Sequence, residues 1–234
     1  MSVGEEISIN KTVYKEVTDE ATGHVSMQAV IQTDHIYHLG ISKVEYYYYK
    51  QPVVKKIEPN AGLVSGGTQI EISGINFAYR PEYGVVPHCK IGKKVVRAQF
   101  HSPVRIICIS PPNEDITSPQ LVQVSLNGFD YVDTGLLFTY YEQPILSNMY
   151  PISGPESGGT QIYLTGNRIA NMSDPWKFKC RFSSINADIP PKFIPAYFIN
   201  DTTVLCSSPG GWGRGVSVLV QLTLNGVDYS DNNF

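Results

Sequence analysis

Three segments of this chain alternate apolar and polar residues with the period of two that is typical of half-buried β-strands. They are residues 68–74, 122–128 and 218–226. The second and third end in Asn-Gly, which is a strong signal for a hairpin turn. No segment sustains a 3.6-residue period, so the pattern predicts short strands and no long helix.

The same pattern occurs twice along the chain. Residues 59–70 return 92 positions later as residues 151–162, and residues 124–131 return 98 positions later as residues 222–229. Both units carry Ser-Gly-Gly before a strand, which predicts a bend where glycine adopts a positive φ. A repeat of about 90–100 residues is too long for a solenoid and has the size of an immunoglobulin-like sandwich.

The repeat divides the chain into three parts. Gln-Pro opens two units, residues 51–142 and 143–234, which follow an N-terminal segment, residues 1–50. Residues 45–49 match the last strand of the first unit at the offset of 92, so we expect them to be the last strand of a preceding unit. Phe234 aligns with Phe138 of that strand, so we expect the last strand of the second unit to be incomplete.

Composition narrows the class of protein. Charged residues make up 17% of the chain, below the roughly 25% of typical globular proteins, and hydrophobic residues make up 42%. The net charge of −3 is too small for intrinsic disorder and argues against a protein that binds nucleic acid through phosphate contacts. No apolar run reaches the ~18 residues of a membrane-spanning helix. The N-terminus shows no signal peptide if Met1 is the true start.

The motifs of the two units resemble those of the IPT/TIG family. The first unit reads Pro-x-x-Gly-x-x-Ser-Gly-Gly-Thr-x-Ile, then Cys-x-Ile-Gly, Ile-Cys-x-Ser-Pro-Pro and Val-x-Val-x-Leu-Asn-Gly, and the second follows the same order. The resemblance covers residues 52–141 and 144–234. It implies an all-β fold of tandem immunoglobulin-like sandwiches, here with an N-terminal β segment. The family includes plexins, transcription factors and many cell-surface proteins, so it limits fold more than function.

Each unit has two cysteines at equivalent places. Extracellular members of the family imply one disulfide per unit, Cys89 with Cys108 and Cys180 with Cys206. The alternative is a pair of reduced, buried cysteines in an intracellular relative. Zinc is disfavoured because the spacing is not Cys-x2-Cys, so we expect no metal site.

Other candidate sites are weaker. Asn10, Asn171 and Asn200 lie in Asn-x-Ser/Thr sequons, which are candidate sites for N-linked glycans if the chain is secreted. Two residues separate His35 from His38. This pair fits a solvated loop better than a metal site. The Ser-Gly-Gly-Thr loops precede strands, unlike phosphate-binding loops, and no Gly-x-Ser-x-Gly elbow is present. We therefore expect no catalytic residue and no cofactor.

Two segments carry candidate interaction residues. Tyr46, Tyr47, Tyr48 and Tyr49 form an unusually aromatic predicted strand, which either packs on the first unit or completes the sandwich of another molecule. Trp212 and Arg214 lie on a glycine-rich loop and are residue types enriched at interfaces, although the tryptophan could instead cap its own sandwich. Phe234 is the further candidate, in the incomplete last strand.

Three functions fit these features. The first is an extracellular structural or adhesive protein whose stiff units assemble head-to-tail into a filament, with residues 44–50 of one copy completing the second unit of the next. The second is a stalk fragment of a plexin-like cell-surface receptor. The third is an intracellular scaffold or DNA-binding module, which the net charge opposes. The expected partners are protein chains, including further copies, with no nucleic acid and no membrane span in this chain.

Overall fold

The computed structural model describes the backbone of Glu6–Thr18 and Val25–Tyr37, and all atoms of residues 46–170, 177–185 and 189–231. These residues contain 17 strands, and their helical structure includes a 3₁₀ turn at Pro81–Tyr83. The prediction of an all-β chain without a long helix is confirmed for this part of the chain. The chain forms two compact units, Met1–Tyr47 and Tyr48–Phe234.

The N-terminal unit contains one long antiparallel hairpin. Strands β1 (Glu6–Thr18) and β2 (Val25–Tyr37) pair along their whole length, with Val13 opposite Val30. Asn10 lies in β1 and His35 in β2, whereas His38 lies outside the described residues. The N-terminal segment is therefore β structure, as predicted.

Residues 46–50 differ from the prediction. The sequence pattern indicates a strand here, but these residues have no regular secondary structure, and no described ladder includes them. A run of tyrosines favours an extended backbone, but this residue preference does not by itself form a strand. The predicted strand is therefore not observed at residues 46–50.

The first sandwich consists of two sheets. One has four strands in the order β3-β5-β9-β8, and the other has five in the order β4-β11-β10-β6-β7. The nine strands are β3 (Val53–Glu58), β4 (Ala61–Leu63), β5 (Gln69–Ile75), β6 (His88–Ile91), β7 (Lys94–Arg97), β8 (Gln99–Ser102), β9 (Arg105–Ile109), β10 (Gln120–Ser125) and β11 (Tyr131–Tyr141).

The second sandwich repeats part of this arrangement. Its strands are ordered β12-β13-β16-β15-β14-β17 in one continuous ladder. They are β12 (Ile145–Tyr150), β13 (Gln161–Asn167), β14 (Lys179–Ser184), β15 (Lys192–Asn200), β16 (Thr203–Ser207) and β17 (Val218–Thr223). In the first sandwich, β7 and β8 are separated at Ala98 and belong to different sheets. In the second sandwich, the single strand β15 pairs with both β14 and β16.

The Ser-Gly-Gly bends have the predicted conformation. Gly66 and Gly67 have φ of 75° and 86°, and Gly158 and Gly159 have φ of 76° and 87°. A Cβ on Gly66 would lie 2.7 Å from the carbonyl oxygen of Ser110, so the bend needs glycine for space as well as for backbone angle. Each bend aims the following strand into its sheet.

A disulfide crosses the centre of each sandwich. Cys89 on β6 is bonded to Cys108 on β9, and Cys180 on β14 is bonded to Cys206 on β16, with Cα atoms 6.4 Å apart in both pairs. All four cysteines are buried among the apolar side chains of their own sandwich. The structure thus pairs the cysteines as the family resemblance implied.

Tyr140 closes the first core from the last strand. It is buried, its ring meets that of Phe138 edge-on at 5.0 Å between centroids, and its hydroxyl donates a hydrogen bond to the carbonyl oxygen of Pro111 at 2.9 Å. Burial raises the pKa of Tyr140 from 10.0 to about 12, because the phenolate would lose its hydration.

We expect each disulfide to stabilise its sandwich by about 3 kcal/mol, since each closes a loop of 19 or 26 residues in the unfolded chain. Replacing Cys89 and Cys108 together with alanine should lower the free energy of unfolding by at least that amount in urea titrations. Thiol labelling of the native wild type should modify no cysteine before reduction. A fully labelled native protein would contradict the pairing.

We expect the free energy of unfolding to fall as the pH rises above 10. The unfolded tyrosine loses its proton near pH 10, while folded Tyr140 keeps its proton until about pH 12, so the unfolded state binds fewer protons in this window. Urea unfolding between pH 8 and pH 11 should show a shallower fall for Tyr140→Phe than for the wild type. The matched variant Tyr150→Phe, at an exposed tyrosine, should retain the wild-type slope.

Candidate functional site: the junction between the two sandwiches

The two sandwiches share an apolar contact around Tyr141. Tyr141 is the last residue of β11, yet its ring packs into the core of the second sandwich, together with Ala61 of β4. Only residues 142–144 separate β11 from β12. The end of one sandwich thus forms part of the core of the next, which leaves little freedom for bending.

The Tyr141 hydroxyl is buried and has no hydrogen-bond partner among the described residues. Burial, and then the negative charge of Asp228, raise its pKa well above its usual value. The hydroxyl therefore remains protonated, and the ring contributes to the junction through apolar packing.

The loop after β17 provides the polar part of the junction. Asn225 is buried, and its side-chain amide nitrogen donates hydrogen bonds to the carbonyl oxygen of Ala61 at 3.0 Å and to Asp228 Oδ2 at 2.8 Å. Its Oδ1 accepts from the backbone N–H groups of Val227 and Asp228 at 3.0 and 2.9 Å. The loop is therefore held rigid by the same asparagine that reaches the first sandwich.

Asp228 connects the two sandwiches through Thr68. The Thr68 hydroxyl donates to Asp228 Oδ2 at 2.6 Å, and Thr68 Oγ1 accepts from the backbone N–H of Leu63 at 3.1 Å. Thr68 is fully buried and follows the Ser-Gly-Gly bend directly. The Asp228 carboxylate thus receives hydrogen bonds from both sandwiches, and such charge-assisted bonds are the stronger kind.

An ion pair and a linker contact lie beside this network. Lys177 Nζ of the second sandwich is 3.5 Å from Glu58 Oε1 of the first. The hydrogen bond from Lys56, together with Lys177, lowers the pKa of the Glu58 carboxyl. In the linker, Gln143 Nε2 donates to the carbonyl oxygen of Tyr229 at 3.2 Å.

The first sandwich contains the same Asn-Gly-x-Asp loop at the equivalent place. Asn127 Nδ2 donates to Asp130 Oδ2 at 2.8 Å, and Asn127 Oδ1 accepts from the N–H groups of Phe129 and Asp130 at 3.0 and 2.9 Å. Here the loop is at the surface, where Phe129 is 88% exposed. The two loops therefore share one internal geometry, and the second is buried by the junction.

A cleft of about 1020 Å³ opens in the second sandwich on the side of its own Ser-Gly-Gly bend. Apolar side chains of the second sandwich line it, including Ile162, Phe182, Val220 and Trp212. Trp212 is partly buried, with Lys192 above its ring at 4.7 Å, and its indole N–H has no acceptor among the described residues. Arg214 lines the same cleft and is exposed.

The structure describes some of the remaining candidates from the sequence. Asn200, at the end of β15, is exposed, and its Oδ1 accepts from the Thr202 N–H at 3.0 Å. Tyr46 and Tyr48 are exposed, whereas Tyr49 packs against the first core. Asn171 and Phe234 lie outside the described residues, as do the side chain of Asn10 and Glu45.

The residues that hold the junction were not among the predicted site residues. Their signal is present in the sequence, since Thr68 and Thr160, and Asp130 and Asp228, recur at the offsets of the repeat. The Asn-Gly pairs were interpreted as turns only, and nothing in one sequence indicates that the aspartate two residues later contacts another unit.

The described residues contain no cluster of three or more side chains able to hold a metal ion. Within the same residues, no helix is long and apolar enough to cross a membrane. The two buried disulfides are typical of oxidising compartments and indicate an extracellular or cell-surface location.

Several plexins are similar to this chain in sequence. Plexin-A3 of Mus musculus is 25% identical over 167 residues, which is 70% of this chain and 8% of the relative. Plexin-A2 of Homo sapiens is 26% identical over 166 residues, and Plexin-2 of Caenorhabditis elegans is 25% identical over 172 residues; these matches again cover 70% of this chain, and they cover 8% and 9% of the relatives. The chain thus spans less than a tenth of the length of these relatives.

A solved structure of the full extracellular region of plexin A4 is also similar. It matches 95% of this chain and 20% of its own, with a TM-score of 0.48 and 17% identity.

The family model described as IPT/TIG domain matches residues 52–140 and again residues 144–234. These two matches cover the two sandwiches and most of the chain, and they agree with the motifs and with the observed strands. The chain belongs to the IPT/TIG domain family.

Proposed function

We propose that this chain is a non-enzymatic extracellular spacer, a stalk segment of a plexin-like cell-surface protein that holds its neighbouring parts at a fixed distance and angle. The observation that carries the proposal is the hydrogen-bonded junction of Asp228 with Thr68, and of Asn225 with Ala61. A spacer needs a defined angle between its units, and this junction fixes one.

The junction has the properties of a permanent contact between domains. Ala61 and Tyr141 are 5% and 3% exposed, and Asn225 is 4% exposed. Separating the sandwiches would expose the Tyr141 ring and leave the Asp228 carboxylate without the Thr68 hydroxyl. A hydrogen bond to a charged group contributes about 1.5–3 kcal/mol, which favours the closed arrangement.

The surface properties agree with an extracellular spacer. Asn200 is exposed at a strand end, where a glycan would extend into solvent without displacing core residues. The chain has few charges, with 17% charged residues. Partners of the intact protein are expected to be other proteins, because the plexins are its relatives.

The intracellular alternative is less favoured. A scaffold or DNA-binding module would work in a reducing compartment and would need a basic face, whereas the cysteines are paired and the net charge is −3.

Removing Asp228 should loosen the angle between the sandwiches. We expect spin labels on Asp133→Cys and Asp201→Cys, both at exposed positions, to give one narrow distance distribution by pulsed electron paramagnetic resonance. Asp228→Ala should broaden it, and Thr68→Val should broaden it to a lesser extent, because the closed state loses about 1.5–3 kcal/mol.

The matched control is Asp130→Ala, which removes the equivalent carboxylate from the loop of the first sandwich and should leave the distribution narrow. A broad distribution in the wild type would refute the rigid spacer. A narrow distribution in Asp228→Ala would show that this carboxylate does not set the angle.

A further inference from the structure

We infer that Asn200 carries an N-linked glycan whose first sugars fold back over a row of exposed tyrosines on the same face of the second sandwich. The side chains of this row, called the tyrosine row below, are Tyr150, Tyr163, Leu205 and Tyr197. The inference goes beyond the spacer function and does not rest on it, because a glycan covers this face equally well on a flexible chain.

The tyrosine row runs across four neighbouring strands. Tyr150 of β12 pairs with Tyr163 of β13. Leu205 of β16 pairs with Tyr163 on one side and with Tyr197 of β15 on the other. Directly paired residues of antiparallel strands point to the same face, and the neighbours of Leu205 along β16 are buried in the core. The row therefore lies on the outer face, where Tyr150, Tyr163 and Tyr197 are 72%, 44% and 63% exposed.

Asn200 lies in the next row of the same face. It pairs with Thr203 of β16, and Thr203 pairs with Thr165 of β13. Because Thr203 and Leu205 are two residues apart on one strand, the two rows are about 7 Å apart. Three steps between neighbouring strands make the tyrosine row about 14 Å long. A glycan on Asn200 thus begins beside the row, and its first few sugars are long enough to cover it.

The turn at Asn200 leaves the glycan attachment atom available. Asn200, Asp201 and Thr202 form the sequon, and all three are exposed. Asn200 Oδ1 accepts hydrogen bonds from the Thr202 backbone N–H at 3.0 Å and from the Thr202 hydroxyl at 2.8 Å. The turn therefore occupies the oxygen of the side-chain amide and not its Nδ2.

The modification is a group transfer without any change of oxidation state. Asn200 Nδ2 loses one proton and forms a bond to the anomeric carbon of the first sugar. The bond from that carbon to the diphosphate of a lipid-linked oligosaccharide breaks, and the lipid diphosphate leaves. Such a donor belongs to the secretory route, which agrees with the two buried disulfides of this chain.

The first sandwich shows a different face where the sequon is replaced. At the repeat offsets, the residues equivalent to the tyrosine row are Glu58, Glu71, Ile107 and Gln99. They pair in the same register as the tyrosine row. Glu71 forms an ion pair at 2.8 Å with Arg105, which is equivalent to Thr203, and Ser102 is equivalent to Asn200. The aromatic row and the sequon thus occur together in one sandwich and are replaced together in the other.

The face around Asn200 is neutral, which suits the neutral first sugars of an N-linked glycan. The row of Asn200 continues through Thr203, Thr165 and Asn148, so neither row contains an acidic side chain, a lysine, an arginine or a histidine. A pyranose ring has a face of C–H groups and a rim of hydroxyls. The C–H face packs on the negatively polarised face of an aromatic ring, and the hydroxyls remain hydrated.

A tethered glycan fits the tyrosine row better than a docked protein does. A stable protein interface buries about 800 Å² per partner and involves about 20–30 residues a side, whereas the row offers four side chains. A short tether gives an effective concentration in the millimolar range, so weak stacking on each ring is enough to hold the sugars. The covered row no longer exposes an aromatic surface of the kind that favours association.

The first experiment uses the whole chain secreted from cultured cells, with Asn10→Gln and Asn171→Gln so that Asn200 is the remaining sequon. Peptide mapping by mass spectrometry should find a glycan on Asn200. Hydroxyl radicals should oxidise Tyr163 and Tyr197 several-fold more slowly than in Asn200→Gln, which has no glycan. Tyr79, an exposed tyrosine of the first sandwich, should react equally in both proteins. Enzymatic removal of the glycan from the folded protein should give the rates of Asn200→Gln.

Nuclear magnetic resonance with an isotope-labelled glycan detects the packing directly. We expect nuclear Overhauser contacts between the ring protons of Tyr197 and sugar C–H protons, which the ring should shift upfield. Tyr163→Ser with Tyr197→Ser should abolish both signals while Asn200 stays glycosylated. The matched control Tyr79→Ser should retain them.

Three results would overturn the inference. The first is a secreted chain in which Asn200 is unmodified, and the second is a glycan that neither protects the tyrosines nor contacts their rings. The third is self-association of the glycosylated chain that Tyr163→Ser with Tyr197→Ser abolishes, since a second copy would then cover this face. None of them depends on the distance distribution between the sandwiches, which tests the spacer separately.

Discussion

The Asp228 carboxylate holds the two sandwiches in one arrangement. A charged group at a partly buried contact is costly unless hydrogen bonds replace its hydration. Here the Thr68 hydroxyl and the Asn225 amide supply them, one from each sandwich. Because the two donors lie on different sandwiches, the carboxylate has both protein donors only when the sandwiches are docked. The interaction thus favours the angle at which these hydrogen bonds replace the hydration that the carboxylate loses on docking.

The apolar part of the contact stabilises the junction but does little to fix the angle between the sandwiches. Tyr141 and Ala61 bury their surfaces in the second core, and apolar packing alone tolerates small rotations. The buried Tyr141 hydroxyl without a partner among the described residues is a cost that the packing of the ring offsets. Asn225 contributes most to fixing the angle. Its amide nitrogen donates a hydrogen bond to the carbonyl oxygen of Ala61, while its Oδ1 accepts one from the Val227 N–H within the loop. Packing therefore stabilises the junction, and hydrogen bonding sets its angle.

The sequence predicted the fold well because its signals are local. Alternation along β5, β10 and β17 and the paired glycines before the strands depend on a few neighbouring residues. The tyrosine run at 46–49 is a misleading signal, because aromatic residues favour an extended backbone without by themselves forming a strand. The junction could not be predicted because Asn127 and Asn225 have the same neighbours in sequence. Their difference is long-range, since Asn225 contacts Ala61, 164 residues away.

The two units show how one motif acquires different roles through what covers it. Gly62 and Thr68 are buried because β11 and the second sandwich lie over them, while the equivalent Gly154 is exposed and Thr160 is only partly buried. The same internal hydrogen bonds shape the loops at Asn127 and Asn225, so neither loop needs the contact in order to fold. A loop that is formed before it binds loses little entropy on docking. This preorganisation is why a single Asn-Gly-x-Asp loop serves as a turn within one sandwich and as a connector between two.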